Sequence, residues 1–197
     1  MSTMQTARVT EKGKFDYLVG GGFANIKTSE NPDYYSSGIP IVELGVRYGI
    51  TDRLDAGLKI STCSLVTLDS KYQFLGDKNS KLAGSVGLGG SYSYLGIGTE
   101  KINAYNAMLP IYFSYHPVNW LSLYCSPKYV LQITNNDYIN SNQIFSTISH
   151  WYGATGGIRI GKRIAFLAEY SLFGNNMIPI LLPYSQITCG VAFCFYK

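Results

Sequence analysis

Residues 41–60 read Ile41-Val42-Glu43-Leu44-Gly45-Val46-Arg47-Tyr48-Gly49-Ile50-Thr51-Asp52-Arg53-Leu54-Asp55-Ala56-Gly57-Leu58-Lys59-Ile60. Val42, Leu44, Val46 and Tyr48 alternate with Glu43, Gly45, Arg47 and Gly49. After Thr51-Asp52-Arg53, Leu54, Ala56, Leu58 and Ile60 alternate with Asp55, Gly57 and Lys59. A period of two puts successive side chains on opposite faces of a strand, so the stretch is a hairpin closed by a tight polar turn.

The same pattern recurs along the chain. Leu109, Ile111, Phe113 and Tyr115 lead into a turn at 117–119, and Leu121, Leu123, Cys125 and Tyr129 lead out. A further hairpin surrounds Gly161-Lys162-Arg163, and the chain ends on Ile187, Cys189, Val191, Phe193 and Phe195 in alternation. Ten strands are predicted, at 14–27, 39–50, 53–61, 66–76, 81–95, 103–116, 120–133, 146–161, 164–174 and 184–196. Turns at 51–53, 77–80, 117–119 and 161–163 are tight. Connections at 28–38, 134–145 and 175–183 are long and polar, with shorter ones at 62–65 and 96–102. Pro110 and Pro127 fall inside strands and predict bulges, because each lacks a ladder donor.

The sign of the alternation decides the solvent. One face of every strand is nearly free of charge. The other carries Asp16, Glu43, Asp55, Asp69 and Glu169 against Arg47, Lys59, Lys71, Lys128 and Arg159. A charge facing lipid at the bilayer midplane costs about 2–4 kcal/mol, so its exclusion from one face implies that this face meets lipid. Gly45, Gly57, Gly87, Gly89 and Gly157 share the polar face, where a narrow interior needs small residues. A soluble sandwich would instead share an apolar face between two sheets. Tyr17, Tyr48, Phe74, Tyr115, Trp120 and Phe166 near the tight turns, with Phe23, Tyr94, Tyr105 and Tyr170 near the loops, are placed as two aromatic girdles.

Composition agrees. Of 197 residues only 14% are charged, with a net charge of +4 and 17 Tyr, whereas a soluble domain carries about 25% charged residues. The unclustered +4 excludes a nucleic-acid surface. The longest apolar run, 177–184, is broken by Pro179 and Pro183, far short of the ~20 residues of a spanning helix. These readings predict a closed antiparallel transmembrane β-barrel over residues 14–197, with short periplasmic turns and longer extracellular loops. Residues 1–13 are expected to form a periplasmic N-terminal tail.

On the 45–58 hairpin and the aromatic alternation to the C-terminus, the chain resembles the small β-barrel proteins of bacterial outer membranes. The resemblance implies location in that membrane, with outer-membrane lipids and the barrel-assembly machinery as partners. Such barrels end in an aromatic residue, whereas Phe193, Phe195 and Tyr196 are followed here by Lys197. The first residues, Met1 to Arg8, resemble the region behind the lipid-bearing cysteine of bacterial lipoproteins, with Met1 in that cysteine's place.

Candidate chemistry is sparse. Cys63, Cys125, Cys189 and Cys194 lack metal-ligand spacing, only two His are present, and no metal or cofactor is expected. Cys125 and Cys189 share the lipid parity, Cys63 and Cys194 the other. A rim enzyme, hydrolysing lipid or peptide, is the alternative function. Its candidate groups are Ser149-His150 with Asp137, or His116 with Ser114, but sequence neighbours such as Ser149 and His150 point to opposite faces of a strand. The leading expectation is a non-enzymatic barrel, with a structural or surface role or a very narrow channel. Its lumen is expected to be filled by a charge network of Glu43, Arg47, Lys59, Asp69, Lys71, Lys128, Arg159 and Glu169, hydrogen-bonded across the barrel.

Overall fold

The fold was obtained as a computed structural model that describes residues 3–26, 38–62, 65–77, 79–97, 100–138, 144–175 and 184–194. Met1, Cys63 and residues 195–197 lie outside these, as do most of the long connections. Ten strands follow one another as β1(Phe15–Ile26), β2(Ile39–Gly49), β3(Leu54–Ser61), β4(Leu65–Leu75), β5(Leu82–Ile97), β6(Glu100–Val118), β7(Leu121–Tyr138), β8(Ile144–Gly161), β9(Ile164–Asn175) and β10(Tyr184–Cys194). Each pairs antiparallel with its sequence neighbours, and β1 pairs with β10, so the sheet closes into a barrel with no free edge. Closure removes the unpaired backbone row that lipid could not satisfy.

The sequence pattern explains the wall. Outward positions carry Leu44, Ile60, Leu68, Leu88, Ile111 and Phe166, and the barrel leaves them exposed: Leu68 by 62%, Leu88 by 65% and Phe166 by 64%. Inward positions carry Glu43, Asp55, Lys71, Ser85, Thr155 and Glu169, all buried. An apolar exterior around a polar interior fits lipid outside. Helices long and apolar enough to cross a membrane are absent among the described residues; the crossing is made by strands. Aromatic side chains lie exposed near both ends of the wall. Phe15, Tyr48 and Trp120 lie toward the tight turns, Tyr94, Tyr105 and Tyr152 toward the loops.

The tight turns are built from local hydrogen bonds. At 50–54 the amides of Ile50 and Thr51 both donate to the Leu54 carbonyl, at 2.9 and 3.0 Å. At the β4–β5 turn, Asp77 Oδ1 accepts from the amides of Asn79 (2.8 Å) and Ser80 (2.9 Å) and from the Ser80 hydroxyl (3.0 Å). The Asn79 amide is the largest cause, with Ser80 adding to it, of a carboxyl held below its ordinary value.

Three expectations need correction. First, the prolines make no bulge. Pro110 pairs with Lys128 and Pro127 with Ala154, and the registers on either side of each are continuous. Each missing donor instead opens a gap in one neighbouring ladder. The irregularities lie elsewhere, between Gln73 and Leu75 and between Tyr115 and Val118. Second, β5 to β8 are longer than the alternation suggests: 16, 19, 18 and 18 residues. Strands β5 and β6 stay paired up to Ile97 and Glu100, across the expected 96–102 loop. A tilted strand needs about 9–11 residues to cross, so these four project beyond the bilayer. No lipid excludes charge there, and Lys101 is exposed. Third, the N-terminal segment is no external tail. Thr3, Met4, Thr6, Ala7 and Thr10 are buried, because the segment runs inside the barrel.

If the outward face meets lipid, Leu58→Arg or Leu68→Arg, directly paired at mid-wall, will lower the stability of the refolded barrel by about 2–4 kcal/mol. Arg at the lumen-facing Ser61 will cost less. Urea unfolding in lipid vesicles measures the difference, and equal costs at both sets would refute the assignment.

Candidate functional site in the lumen

An extended segment inside a barrel has no neighbouring strand, so each of its backbone groups needs another partner. Lumen side chains supply them. The amides of Thr3 and Met4 each donate at 2.7 Å to the two oxygens of Glu169. Those of Ala7, Val9 and Thr10 donate to Ser114 Oγ (3.2 Å), Gln73 Oε1 (3.0 Å) and Asp55 Oδ2 (2.9 Å). Carbonyls are met from the same wall. Lys71 Nζ donates to the Thr6 and Arg8 carbonyls, both at 2.9 Å, and to Gln5 Oε1 at 3.2 Å. Ser85 Oγ donates to the Ala7 carbonyl. The segment enters beside Gly49, through a bridge from Lys12.

Two side chains fix its inner end. Met4 has a φ of 48°, a left-handed conformation that costs a residue other than glycine about 1–2 kcal/mol. The Glu169 clamp holds it there, and Met4 packs on Leu167, Ala192 and Leu18. Its thioether lies over Gly20 and Gly190, which pair directly between β1 and β10. A Cβ on Gly20 would stand 2.7 Å from Met4 Sδ, and one on Gly190 would overlap the Met4 methyl. These two glycines therefore form the socket.

The expected charge network all faces inward but is arranged along the wall. Asp55 pairs with Lys71 in the β3–β4 register, and Arg47, Gly57 and Asp69 lie side by side across β2, β3 and β4. Arg47 crosses Gly57 to reach Asp55 at 2.8 Å and Asp69 at 2.5 Å. A Cβ on Gly57 would lie 2.9 Å from the guanidinium. Lys71 stands 3.6 Å from Asp55 Oδ2, and Lys59 3.5 Å from Glu43. Glu169 also accepts from the Tyr124 hydroxyl at 3.1 Å, and Lys128 Nζ donates to Thr3 Oγ1 at 3.3 Å. The described ion pairs among wall residues thus run along the wall within β2, β3 and β4 rather than spanning the barrel, because the N-terminal segment lies in the lumen. Arg159 stands apart. Its Nη2 donates to Cys194 Sγ at 3.0 Å.

Sequence reasoning missed Asp55 as the hub, Gln73, Ser85, Ser114 and Tyr124 as anchors, and the segment itself. The available signal was composition: Thr3, Thr6, Ala7, Val9 and Thr10 are small or β-branched residues, interrupted by one charge, Arg8. Of the two catalytic candidate sets, Ser149 and His150 are separated, whereas His116 and Ser114 are brought together. Ser149 is buried inward, whereas His150 Nδ1 lies 2.7 Å from the Tyr129 hydroxyl, and the Asp137 side chain lies outside those described. His116 sits between Ser114 (2.8 Å from Nε2) and Ser122 (2.7 Å from Nδ1), with a hydroxyl where an orienting carboxylate would stand. Cys125 and Cys189 are exposed outward and Cys194 is buried. Groups of three or more potential metal ligands are absent among the described residues.

A closed ten-strand wall, apolar outside and polar inside, defines a transmembrane β-barrel of the bacterial outer membrane. The chain belongs to the membrane-bound beta barrel domain family (DUF5777), which it matches over residues 1–193. No curated protein matches it in sequence. Among solved structures it is similar to the outer membrane protease OmpT from Escherichia coli, with a TM-score of 0.51 and 11% identity over 92% of this chain and 97% of that one. It is also similar to Neisserial surface protein A (TM-score 0.47, 12% identity, 92% and 97% covered). A third is Ail, the attachment invasion locus protein of Yersinia pestis (TM-score 0.46, 10% identity, 93% and 98% covered). The likeness to OmpT is one of fold.

If Glu169 clamps the segment, Glu169→Ala will leave two buried amides without an acceptor, at about 1–3 kcal/mol each. Hydrogen exchange will then show the Thr3 and Met4 amides losing protection while β1–β10 pairing persists. Unchanged protection of both amides would refute the clamp.

Proposed function

We propose that this protein is a non-enzymatic outer-membrane barrel, structural or surface-presenting, whose lumen is closed by its own N-terminal segment. The observation that carries the reading is the threading of residues 3–10 through the interior, with five backbone amides and three carbonyls taken by lumen side chains. A ten-strand barrel is already narrow, since wide aqueous channels come with about sixteen strands. Balanced, wall-paired charge also differs from the single-sign ring of an ion-selective pore.

A cavity of about 1150 Å³ remains around the segment. Toward the loops it is lined by neutral polar groups such as Ser91, Asn106 and Gln132, toward the turns by Arg159 and Lys162. The rim-enzyme alternative draws no support from Ser149 and His150, which face opposite sides of the wall. The His116–Ser114 pair has a hydroxyl, Ser122, in the orienting position and lies by a tight turn, away from the loop rim. The lipid anchor expected at residue 1 is a separate proposal, and it has to accommodate Thr3 inside the lumen.

Planar-bilayer recording tests the closure. The full chain will show little or no steady conductance, and deleting residues 3–10 will raise it. A large, steady conductance in the unaltered protein would make it a channel. Labelled fatty acid tests the anchor on a precursor that carries cysteine where Met1 stands here: a label that is lost when that cysteine is changed supports it, and an unlabelled protein removes it.

A further inference from the structure

Four adjacent strands bring neutral polar side chains into one row on the lumen face. Thr67 of β4 pairs with Ser91 of β5, Ser91 with Asn106 of β6, and Asn106 with Gln132 of β7. Direct register partners point to the same face of a sheet, and all four line the cavity. Neighbouring strands lie about 4.8 Å apart, so the row runs roughly 14 Å around the inner wall. One pleat nearer the loops, Ser93 and Thr134 both pair with Ala104 and line the cavity as well.

The row is held by its own bonds. Asn106 Nδ2 donates to Ser91 Oγ at 3.0 Å, and Gln132 Oε1 accepts from Trp151 Nε1 at 3.1 Å. Asn106 Oδ1 is buried and has no donor among the described residues. An amide satisfied at one end only is costly, and rotation about its broad χ2 turns that oxygen toward the cavity. Two ammonium groups adjoin the row, and both are engaged. Lys59, the register partner of Thr67 in β3, stands 3.5 Å from Glu43. Lys128, turnward of Gln132 on β7, donates to Thr3 Oγ1 at 3.3 Å.

Hydroxyls and carboxamides each donate and accept. A ligand that meets this row therefore offers donors and acceptors in alternation along its length, and it carries no charge, since the adjoining ammonium groups already have partners. Vicinal hydroxyl groups on a chain of sugar rings have that character. We propose that the loop-side half of the lumen is a binding site for a neutral saccharide, whose hydroxyls meet Thr67, Ser91, Asn106 and Gln132. On β7 the row lies loopward of Lys128, the partner of Thr3, so the site stands whether or not the N-terminal segment closes the lumen to ions.

The test uses the full chain carrying Trp120→Phe, which leaves Trp151 as the single tryptophan, refolded in phosphatidylcholine vesicles. Maltotriose, cellotriose and triacetylchitotriose are the probes; calorimetry reads affinity and Trp151 fluorescence reads location. Saturable binding of at least one is expected, with a fluorescence change that follows the same curve. Asn106→Leu will weaken it about fivefold, the worth of one neutral hydrogen bond. Thr134→Val, which removes one hydroxyl at nearly unchanged volume and keeps the test open if Asn106→Leu fails to fold, will weaken it by a smaller factor. Asn119→Ala, at the tight-turn end of the same cavity, will leave it unchanged. No saturable binding of any probe, binding that leaves Trp151 unmoved, an equal effect of Asn119→Ala, or tighter binding of the acidic galacturonic acid trimer would overturn the proposal.

Discussion

A polypeptide placed inside a β-barrel brings in backbone donors and acceptors that the closed wall cannot satisfy with its own ladder, since that ladder is already complete. Each must be met by a lumen side chain, and this requirement organises the interior. Lys71 is 2% exposed and Asp55 0%. Groups so deeply buried are tolerated only when paired and hydrogen-bonded. Here Lys71 serves two carbonyls, a side-chain amide and Asp55 at once, while Asp55 holds the Thr10 amide and Arg47. Wall and segment form one polar network, and removing either strands the other's charges.

The same constraint accounts for the small residues. Gly20 and Gly190 are needed where Met4 seats, and Gly57 where Arg47 crosses to its carboxylates. The lumen is therefore close-fitting at the segment's inner end and at the Arg47 cluster. Its turn-end mouth is different: there Arg159, which donates to Cys194 Sγ, lines the remaining cavity.

Much of the wall was legible in the sequence, because lipid imposes a strict rule on alternate residues. Leu44 and Leu58 had to face outward if Glu43 and Lys59 faced inward, and period two left no other choice. Strand number and closure followed from the spacing of the turns. Legibility ended where lipid ends. The outer parts of β5 to β8 carry residues such as Lys101 without penalty, so the alternation faded and the strands were read short. The site was half visible. All eight expected lumen charges face inward, yet their partners depend on register, which pairs Asp55 with Lys71, and on an occupant whose plain sequence gave no motif. Thr3 to Thr10 look like an ordinary tail, and only the wall's unmatched acceptors mark them as an insert.

The threading of that insert is the central claim, and nuclear Overhauser contacts of the Met4 methyl group in lipid nanodiscs test it most directly. The account predicts contacts from this methyl to the Ala192 methyl and to the Gly20 and Gly190 backbone. A sharp Met4 resonance at its free-peptide position, with contacts only to solvent, would contradict it.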